Sequence, residues 1–416
     1  MKVSSMTASP SRRSSLARAL APFPFAVFLA LAPAGLVGCG EGERISLSSI
    51  APPVIRVMLG DEHEQATIGI ADAWEAFSED KNPYADRGSN LVTTISAGPT
   101  GIVIRGVATG SNVVRVRIHQ GSAFTLDAVG SRTAYRGELI VRRKGARLQF
   151  INELDAETYV AGVIVNEIGD GQSPSAYRAQ SVVARTYAYT RVLENPGAAF
   201  HVYDSQQSQV YRGVSLPKNA VTTVDELSRR TAETRGVILT WHSEPFPTYY
   251  FSTCGGHTTE AGTAALASGG ATEPLFGVPC KYCESSKYFR WTENVDVAAL
   301  TSNLKPWGVR APITGIDWTK LGRGSWVAEV TITYGPSGAK KVLPGLDFRK
   351  AAGIRSMCIE SATPSEDGTT LVVKGKGWGH GVGMCQVGCQ EMARRGFAGD
   401  QILRYYYPGA EFTRIY

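Results

Sequence analysis

Short stretches in which apolar and polar residues alternate fill residues 54–150, and they constrain the fold of this chain more than any other feature. Examples lie at 54–57, 113–118 and 139–141, and Gly, Asn, Asp and Ser residues separate them. Because residues two apart in a strand share a face, each stretch predicts a strand with one buried side. The turn residues between them favour antiparallel pairing. The polar segment 74–90 interrupts the pattern, and we predict an inserted loop or a short helix there.

Helical spacing replaces this alternation after Asp155, which is a suitable N-cap residue for a first helix. Two glycines end that helix just after Glu167. A second helix is predicted from the N-cap Ser173, with Pro174 in its first turn, to about Leu193. The apolar residues of the first helix that recur at helical spacing are Tyr159, Val160, Val163, Ile164 and Ile168.

Strands return after the two helices, at 236–240 and 248–252, and a loop that contains cysteines follows. Residues 292–357 have the pattern of a mixed α/β insertion or subdomain. The last part of the chain combines a strand at 370–373, a glycine-rich loop, a helix at 384–395 and a short terminal helix. The pattern thus predicts both strands and helices in one polypeptide, with the helices concentrated after residue 155.

The first 38 residues carry four positive charges and no acidic residue. The charges all lie before residue 19, and the apolar stretch that follows them ends just before Gly38-Cys39. This arrangement is typical of a secretory signal peptide, and the small residue before the cysteine resembles a bacterial lipobox. We therefore predict that Cys39 becomes the lipidated first residue and that residues 39–53 form a tether. The folded part would lie outside the cytoplasm, anchored to a bacterial membrane. A transmembrane anchor is the alternative, but three prolines and the short span argue against it.

The charge balance argues against a nucleic-acid partner. The chain has a formal net charge of +6, and four of its positive charges lie in the predicted signal peptide, so the mature protein is nearly neutral. It contains no lysine and arginine cluster, interleaved with aromatic residues, that could follow a phosphate backbone. With 43% hydrophobic and 19% charged residues, the composition is that of a globular protein rather than a disordered chain.

Glu167 is a candidate catalytic acid at the end of the first predicted helix. The negative end of the helix dipole and the apolar neighbours both disfavour the ionised carboxylate, so both are expected to raise its pKa. A raised pKa suits a carboxylic acid that protonates a leaving oxygen near neutral pH. A solvated glutamate at a frayed helix end is the alternative that spacing alone leaves open.

A loop with five alternating glycines, residues 375–386, is the second candidate. Such glycines let the backbone approach a ligand closely, and neither phosphate-binding glycine pattern fits its register. Trp378 could stack on the face of a sugar, and His380 could donate or accept a hydrogen bond. A glycine-rich turn around a core tryptophan is the alternative.

A group of cysteines is the third candidate for a functional site. Their spacing, C-x2-H followed by C-x2-C, can close tetrahedrally on zinc, whereas an oxidising compartment also permits disulfides. The sequence does not decide between zinc, disulfides and free thiols. Cys385 and Cys389 lie one helical turn apart and could join either arrangement. The residues of the predicted metal site are Cys254, His257, Cys280 and Cys283.

Taken together, these segments resemble the SpoIID/LytB family, which comprises stage II sporulation protein D and the amidase enhancers. The resemblance covers roughly residues 54–416, and its motifs occur in family order. The most specific are AQSVVARTYA at 179–188, SQVYRG at 208–213, STCGG at 252–256 and the glycine loop. The others lie at 55–57, 135–139, 152–154, 159–163, 166–168 and 402–409.

The resemblance implies binding and cleavage of peptidoglycan glycan strands, preferentially those without stem peptides. Enzymatic members of the family look like lytic transglycosylases, and Glu167 aligns with their catalytic acid and base. The alternative is a non-catalytic, glycan-binding enhancer of a cell-wall amidase, and a scaffold for cell-wall assembly is a third interpretation. Such chemistry requires no cofactor. Any zinc would be structural, because four protein ligands leave no position open for substrate.

The resemblance also implies a groove around Glu167, although Arg185 could equally be a structural hydrogen-bond donor within its helix. Two departures from the family pattern are Cys385, where serine is common, and Cys389, where alanine is common. The family's metal sites draw ligands from the loop after STCGG, which favours the cysteines more than His257. The implied substrate-binding residues are Arg185, Gln209, Tyr211, Ser252, Thr253, Trp378, His380 and Gln386.

The resemblance, more than the periodicity, implies an α+β fold: a mostly antiparallel β body with a helix pair and a glycine-rich loop that form a groove. We predict six segments along the chain: 1–38 signal peptide, 39–53 tether, 54–150 β-rich part, 151–291 catalytic core with the helix pair and cysteine loop, 292–357 insertion, and 358–416 glycine loop and terminal helices.

Overall fold

The computed structural model describes residues 1–3, 51–78, 84–119, 121–127, 133–214, 224–266, 272–320 and 323–416. Cys39 and nearly all of the predicted signal peptide and tether lie outside the described residues. Within the described part, no helix is both long and apolar enough to cross a bilayer.

Helices and strands share the described part of the chain. The α-helices are α1 Ala156–Ile168, α2 Pro174–Glu194, α3 Val224–Ala232, α4 Val297–Asn303, α5 Gly345–Ala352, α6 Gln386–Arg394 and α7 Gly399–Tyr406. The strands up to the helix pair are β1 Lys2–Val3, β2 Val54–Met58, β3 Gln65–Ser78, β4 Ala85–Gly98, β5 Gly101–Ile104, β6 Val107–Ala108, β7 Val113–Ile118, β8 Phe124–Leu126, β9 Thr133–Tyr135, β10 Glu138–Lys144 and β11 Arg147–Asp155. The strands after it are β12 Val202–Tyr203, β13 Val237–Trp241, β14 Glu244–Pro245, β15 Tyr250–Phe251, β16 Arg290–Asp296, β17 Ile313–Lys320, β18 Val327–Tyr334, β19 Ala339–Pro344, β20 Cys358–Pro364, β21 Thr370–Lys376, β22 Met384–Cys385 and β23 Glu411–Arg414.

The predicted α+β fold is confirmed, with one large sheet as its main body. This sheet has the strand order β12-β2-β11-β10-β7-β3-β4-β5-β6, and β8 and β9 branch from β3. Its pairs are antiparallel except for β12 with β2. The register of β10 and β11 agrees with the alternation in the sequence, since residues of the same face lie opposite each other. Leu139 lies opposite Asn152, and Val141 lies opposite Phe150. All four of these side chains are buried.

The prediction of a loop or helix at 74–90 is wrong for residues 74–78 and 85–90, which belong to the long strands β3 and β4. Residues 79–83 of this segment lie outside the described residues. Trp74 and Ala76 are buried, whereas Glu75 between them is exposed. Ala76 lies opposite Val116 of β7. The polar side chains therefore occupy the solvent face of an antiparallel ribbon whose backbone hydrogen bonds are satisfied by its neighbours.

The two predicted helices form with the predicted caps. Asp155 accepts hydrogen bonds from the backbone N–H groups of Glu157 and Thr158, and Ser173 caps α2 with Pro174 in its first turn. The helices pack against each other, and most of α1 is buried. This packing holds the last turn of α1, which carries Glu167, rigidly in the protein.

A short parallel pair joins two distant segments of the chain. Tyr250 of β15 lies opposite Met384 of β22, and Phe251 lies opposite Cys385. Gly383 precedes this pair with φ +75, and a Cβ atom there would lie 1.9 Å from the carbonyl oxygen of Tyr249. Only glycine permits this approach. The pairing brings the STCGG segment and the glycine loop together beside the end of α1.

The segment 292–357 contributes to more than one sheet. The strands β17, β18 and β19 form a sheet with β1, whereas β16 pairs with β21 in a sheet that also contains β20. The helix α5 packs on β18 and β19. Through β16 this segment is thus attached to β21, the strand that leads into the glycine loop.

Candidate active site

A groove of about 400 Å³ opens at the end of α1, a volume typical for the binding of small organic ligands. Its walls come from α1, the loop after β12, β15, the glycine loop and α5. The lining residues are Asn166, Glu167, Tyr187, Gln206, Gln207, Ser208, Val210, Tyr249, Tyr250, Phe251, Ser252, Leu266, Arg349, Trp378, Gly379, His380 and Gln386. Among these described residues, Glu167 is the one carboxylate.

Glu167 is held by hydrogen bonds on both of its carboxylate oxygens. The backbone N–H of Val210 donates to Oε1 at 2.6 Å, and Gln386 Nε2 lies 3.4 Å from Oε2 and 3.1 Å from the main-chain oxygen of Glu167. Burial raises the pKa of Glu167, and the hydrogen bonds from Val210, Gln386 and Tyr250 offset only part of that rise. The direction agrees with the sequence-based expectation, and burial is its main cause.

A buried hydrogen-bond chain supports Glu167 from behind. Tyr159 Oη donates to Gln209 Oε1 at 2.9 Å, and Gln209 Nε2 donates to Tyr250 Oη at 2.9 Å. The Tyr250 hydroxyl in turn faces the groove beside Glu167, and it helps to lower the pKa of that carboxyl group. Gln209 is buried, so its predicted contact with sugar is wrong. Instead it positions Tyr250, a residue that the sequence analysis missed although it stands two positions before the STCGG motif.

His380 and Ser252 line the groove as predicted. His380 Nε2 donates to the carbonyl oxygen of Tyr250 at 3.0 Å, and its Nδ1 accepts from the N–H of Val382 at 3.1 Å. Burial, with a smaller contribution from the charge of Arg349, lowers the pKa of His380 to about 4. His380 is therefore a neutral imidazole with both nitrogens engaged, which joins the glycine loop to β15.

Trp378 offers the most accessible aromatic surface of the groove. The residue is 36% exposed, and its ring contacts Tyr288 edge to face at a centroid distance of 4.3 Å. Gln386, at the start of α6, contacts Glu167 directly. Ring faces held in this way suit stacking on the apolar face of a sugar. The predicted groove residues Trp378, His380, Ser252 and Gln386 thus lie in one cavity with Glu167.

Three other predicted substrate-binding residues lie away from the groove. The prediction that they contact substrate directly is therefore wrong for each. Tyr211 is buried, and its hydroxyl donates to Asn152 Oδ1 at 2.7 Å. Thr253 is buried, and its hydroxyl pairs with that of Ser286 at 3.1 Å. The side chain of Arg185 is 0% exposed. The family motifs that contain these residues therefore stabilise the fold around the groove.

Arg185 forms a two-pronged ion pair with Glu157, with Nε to Oε1 at 2.9 Å and Nη2 to Oε2 at 2.8 Å. Burial tends to raise the pKa of Glu157, but the hydrogen bonds and charge of Arg185 outweigh it, and the net pKa is lowered. Stability from this pair is therefore present above the pKa of an unfolded glutamate and is lost as the pH falls through the lowered value.

Replacing Arg185 by Met is expected to lower the free energy of unfolding by about 3–5 kcal/mol, because it leaves the Glu157 carboxylate buried without its partner. Urea denaturation at neutral pH measures the loss. The double variant Arg185→Met, Glu157→Gln should recover part of it. If Arg185 bound substrate instead, the single variant would keep its stability and lose glycan affinity.

Four cysteines converge beneath the glycine loop. All of their sulfur atoms lie within 4.8 Å of one another, and all four residues are buried. The Sγ atoms of Cys254 and Cys283 are 3.3 Å apart. No disulfide joins cysteines within the described part of the chain. The members of this thiol cluster are Cys254, Cys280, Cys283 and Cys385.

The predicted ligand set is therefore corrected at one position, since Cys385 takes the place expected for His257. The His257 ring faces its own chain, with Nδ1 2.6 Å from the carbonyl oxygen of Thr258. Four sulfur atoms at mutual distances below 4.8 Å fit tetrahedral coordination with metal–sulfur distances of about 2.3 Å. Hydrogen bonds from Cys254 and Cys280 lower the pKa of Cys283.

Comparison with known proteins gives the context of this site. The family described as SpoIID, stage II sporulation protein, matches residues 144–241, which include Glu167. An uncharacterised protein of Brachyspira hyodysenteriae is 27% identical over 370 residues, which cover 86% of this chain and 93% of that protein. The amidase enhancer of Bacillus subtilis is 26% identical over 293 residues, which cover 61% of this chain and 40% of that protein.

A further relative has a similar length of match and a higher identity. Stage II sporulation protein D of Bacillus amyloliquefaciens is 30% identical over 276 residues, which cover 63% of this chain and 75% of that protein. The matched part of this chain extends well beyond the segment 144–241 recognised by the family comparison. The resemblance inferred from the ordered motifs is thereby confirmed, and this chain belongs to the stage II sporulation protein D family.

Proposed function

We propose that this protein is a lytic transglycosylase that cleaves peptidoglycan glycan strands, preferentially strands without stem peptides. The observation that carries the proposal is a single buried carboxylic acid in a groove lined by an exposed tryptophan and by hydrogen-bonding side chains. Most glycoside hydrolases instead place two carboxylates across the scissile bond. One carboxylate suffices when the attacking hydroxyl belongs to the substrate itself.

In this mechanism protonated Glu167 donates its proton to the glycosidic oxygen that follows N-acetylmuramic acid. The bond between that oxygen and C1 breaks, and the carboxylate of Glu167 then accepts the proton of the C6 hydroxyl as O6 attacks C1. The products are a free hydroxyl on one strand and a 1,6-anhydro ring on the other, and no water is consumed. Val210 and Gln386 hold the carboxyl group during both proton transfers.

A non-catalytic function is the second candidate, and the relative named an amidase enhancer supports it. In that case the groove would bind glycan and bring a cell-wall amidase to it, and Glu167 would be a binding residue. In both cases the protein would act outside the cytoplasm, attached to the membrane through the lipid on Cys39.

Incubation of the full chain, purified in detergent, with peptide-free glycan strands distinguishes the two candidates. Mass spectrometry should find chains that end in 1,6-anhydro-muramic acid, which are lighter by one water than hydrolysed chains. Intact strands that remain bound to the protein would contradict the transglycosylase and favour the enhancer.

The pH dependence of cleavage provides a separate prediction. The reaction starts from protonated Glu167, whose pKa is raised mainly by burial. The rate should therefore stay high to a pH above the range expected for an exposed glutamate and fall as the pH rises through the raised pKa. A rate measured from pH 4 to 9 on the same glycan checks this, and a rate that rises with pH would contradict the acid role.

We also propose that the thiol cluster holds a structural zinc ion. The ion would cross-link the STCGG segment, the loop at 280–283 and the start of α6, and four thiolate ligands would leave it no role in the reaction. The residues of this cluster lie directly beside groove residues, since Cys385 precedes Gln386. Zinc would thus stabilise the wall that positions Gln386 against Glu167.

A further inference from the structure

The groove is lined by a cation, Arg349, to which the sequence analysis assigned no function. Arg349 lies in α5, which belongs to the segment 292–357 rather than to the family motifs quoted above. Its Nε donates to the carbonyl oxygen of Arg355 at 2.9 Å. This hydrogen bond fixes the direction of the side chain and leaves the two Nη nitrogens without a partner among the described residues.

Arg349 also lacks a balancing charge. No carboxylate of the described residues lies within ion-pair distance of its guanidinium, whereas the nearby Arg355 is paired with Glu293. The side chain is partly buried, and burial is the one cause that lowers its pKa. A partly desolvated guanidinium with free donors at a groove wall is a binding site for an anionic group.

The position of Arg349 along the groove is compatible with an acid function of Glu167. The charge of Arg349 contributes to the lowered pKa of His380. The pKa of Glu167, in contrast, depends on burial and on hydrogen bonds from Val210, Gln386 and Tyr250. The groove is thus lined by both the carboxyl group of Glu167 and the guanidinium group of Arg349.

The proposed substrate has one anionic group that fits this arrangement. N-acetylmuramic acid carries a lactyl ether whose carboxylate is free in peptide-free strands and becomes a neutral amide when a stem peptide is attached. We infer that Arg349 binds this lactyl carboxylate and thereby makes the groove selective for peptide-free glycan. The inference rests on the proposed function and assigns its substrate selectivity to a named residue.

Binding measurements with two chemically matched ligands test this assignment. The ligands are peptide-free glycan strands and the same strands after conversion of the lactyl carboxylates to amides. Titration calorimetry is performed on the full chain in detergent, in the Glu167→Gln background, so that no strand is cut. The parent protein should bind the acid form about tenfold more tightly than the amide, as expected for a charge-assisted hydrogen bond.

Arg349→Gln should lose this preference, with the affinity for the acid falling about tenfold and the affinity for the amide unchanged. Arg349→Lys should retain part of the preference, because it keeps the charge but not the paired donors. Lys350→Gln is the matched control, since Lys350 is exposed on the same helix, and it should behave as the parent. Circular dichroism confirms that each variant is folded.

Three results would overturn the assignment. Equal affinity of the parent for acid and amide would refute it while leaving the proposed function intact, and so would a preference that survives in Arg349→Gln. Absence of binding to either ligand by the parent would refute the proposed function, and this inference with it.

Discussion

Replacing Glu167 by Gln is expected to reduce the formation of 1,6-anhydro ends by a factor of about 10²–10⁴, the usual effect of losing general acid–base catalysis. Glutamine has nearly the shape of glutamic acid, and its amide oxygen can still accept the N–H of Val210. It cannot, however, donate and then recover a proton. Glycan binding should therefore persist while cleavage is lost, as measured by mass spectrometry of the products and by co-sedimentation with insoluble glycan.

This loss should not result from unfolding. The pKa of Glu167 is raised in the folded protein, so its contribution to stability is full below the pKa of an unfolded glutamate and is lost as the pH rises through the folded value. At pH 7 the ionised, buried carboxylate therefore lowers the stability of the folded protein. Glu167→Gln removes this unfavourable charge, and its melting temperature at pH 7 should equal or exceed that of the wild type. Differential scanning calorimetry at pH 4 and pH 7 should show the larger difference at pH 7.

Asp170→Asn is a suitable control for the loss of one carboxylate at the same end of α1. Asp170 lies three residues further along the chain and does not line the groove. Its Oδ1 accepts the N–H of Gly171, a bond that asparagine can retain. This variant should cleave glycan at the wild-type rate. If Glu167→Gln cleaved as fast as this control, the carboxyl group would not be the acid.

If the thiol cluster holds zinc as proposed, replacing Cys385 by Ser is expected to abolish zinc binding and to destabilise the protein by several kcal/mol, because structural zinc contributes directly to folding. Cys385 Sγ accepts the N–H of Gly388 at 3.4 Å as the N-cap of α6, and serine can replace it in that function. The destabilisation should therefore reflect the loss of a metal ligand. Elemental analysis should find about one zinc per wild-type chain and very little in the variant.

Cys389→Ser is the matched control, since Cys389 is buried one turn further along α6 but is not part of the thiol cluster. It should keep its zinc and lose only about 1–2 kcal/mol for the burial of a hydroxyl group. A chelator should lower the melting temperature of the wild type and of Cys389→Ser but not that of Cys385→Ser.

Disulfide formation makes the opposite prediction. Cys254 and Cys283 would then be joined, which mass spectrometry after alkylation detects, and a reductant rather than a chelator would destabilise the wild type. Zinc-free wild-type protein with this disulfide would refute the metal site. The two chemistries thus differ in the reagent that destabilises the protein, in the elemental content and in the alkylation pattern.

The order of the segments around the site could be predicted because their signals are local. The caps Asp155 and Ser173 act on backbone groups within one turn of themselves, so both helices begin where the sequence indicates. The alternation of apolar and polar residues did not reveal the strands within 74–90, because a solvent-facing ribbon tolerates almost any polar residue on its outer side. There, only pairing with neighbouring strands revealed a strand.

By itself, the sequence determined the catalytic candidate, since Glu167 is recognisable from a helix end within a family motif. It also determined the glycine loop, whose residues could be read as a ligand-facing turn. Only the tertiary structure decided which distant residues meet there. Cys385 replaces His257 in the thiol cluster because the pairing of β15 with β22 brings it to Cys254, across 131 positions of the chain.

The same reason explains the remaining differences. Arg185 and Gln209 belong to the family motifs, yet burial assigns them to an ion pair and to a hydrogen-bond chain behind Glu167. Arg349 lies outside the family motifs, yet α5 places it on the groove wall. Spacing along the chain specifies hydrogen bonds within a turn or a helix, whereas solvent access and contacts between distant side chains depend on how the sheets and helices pack.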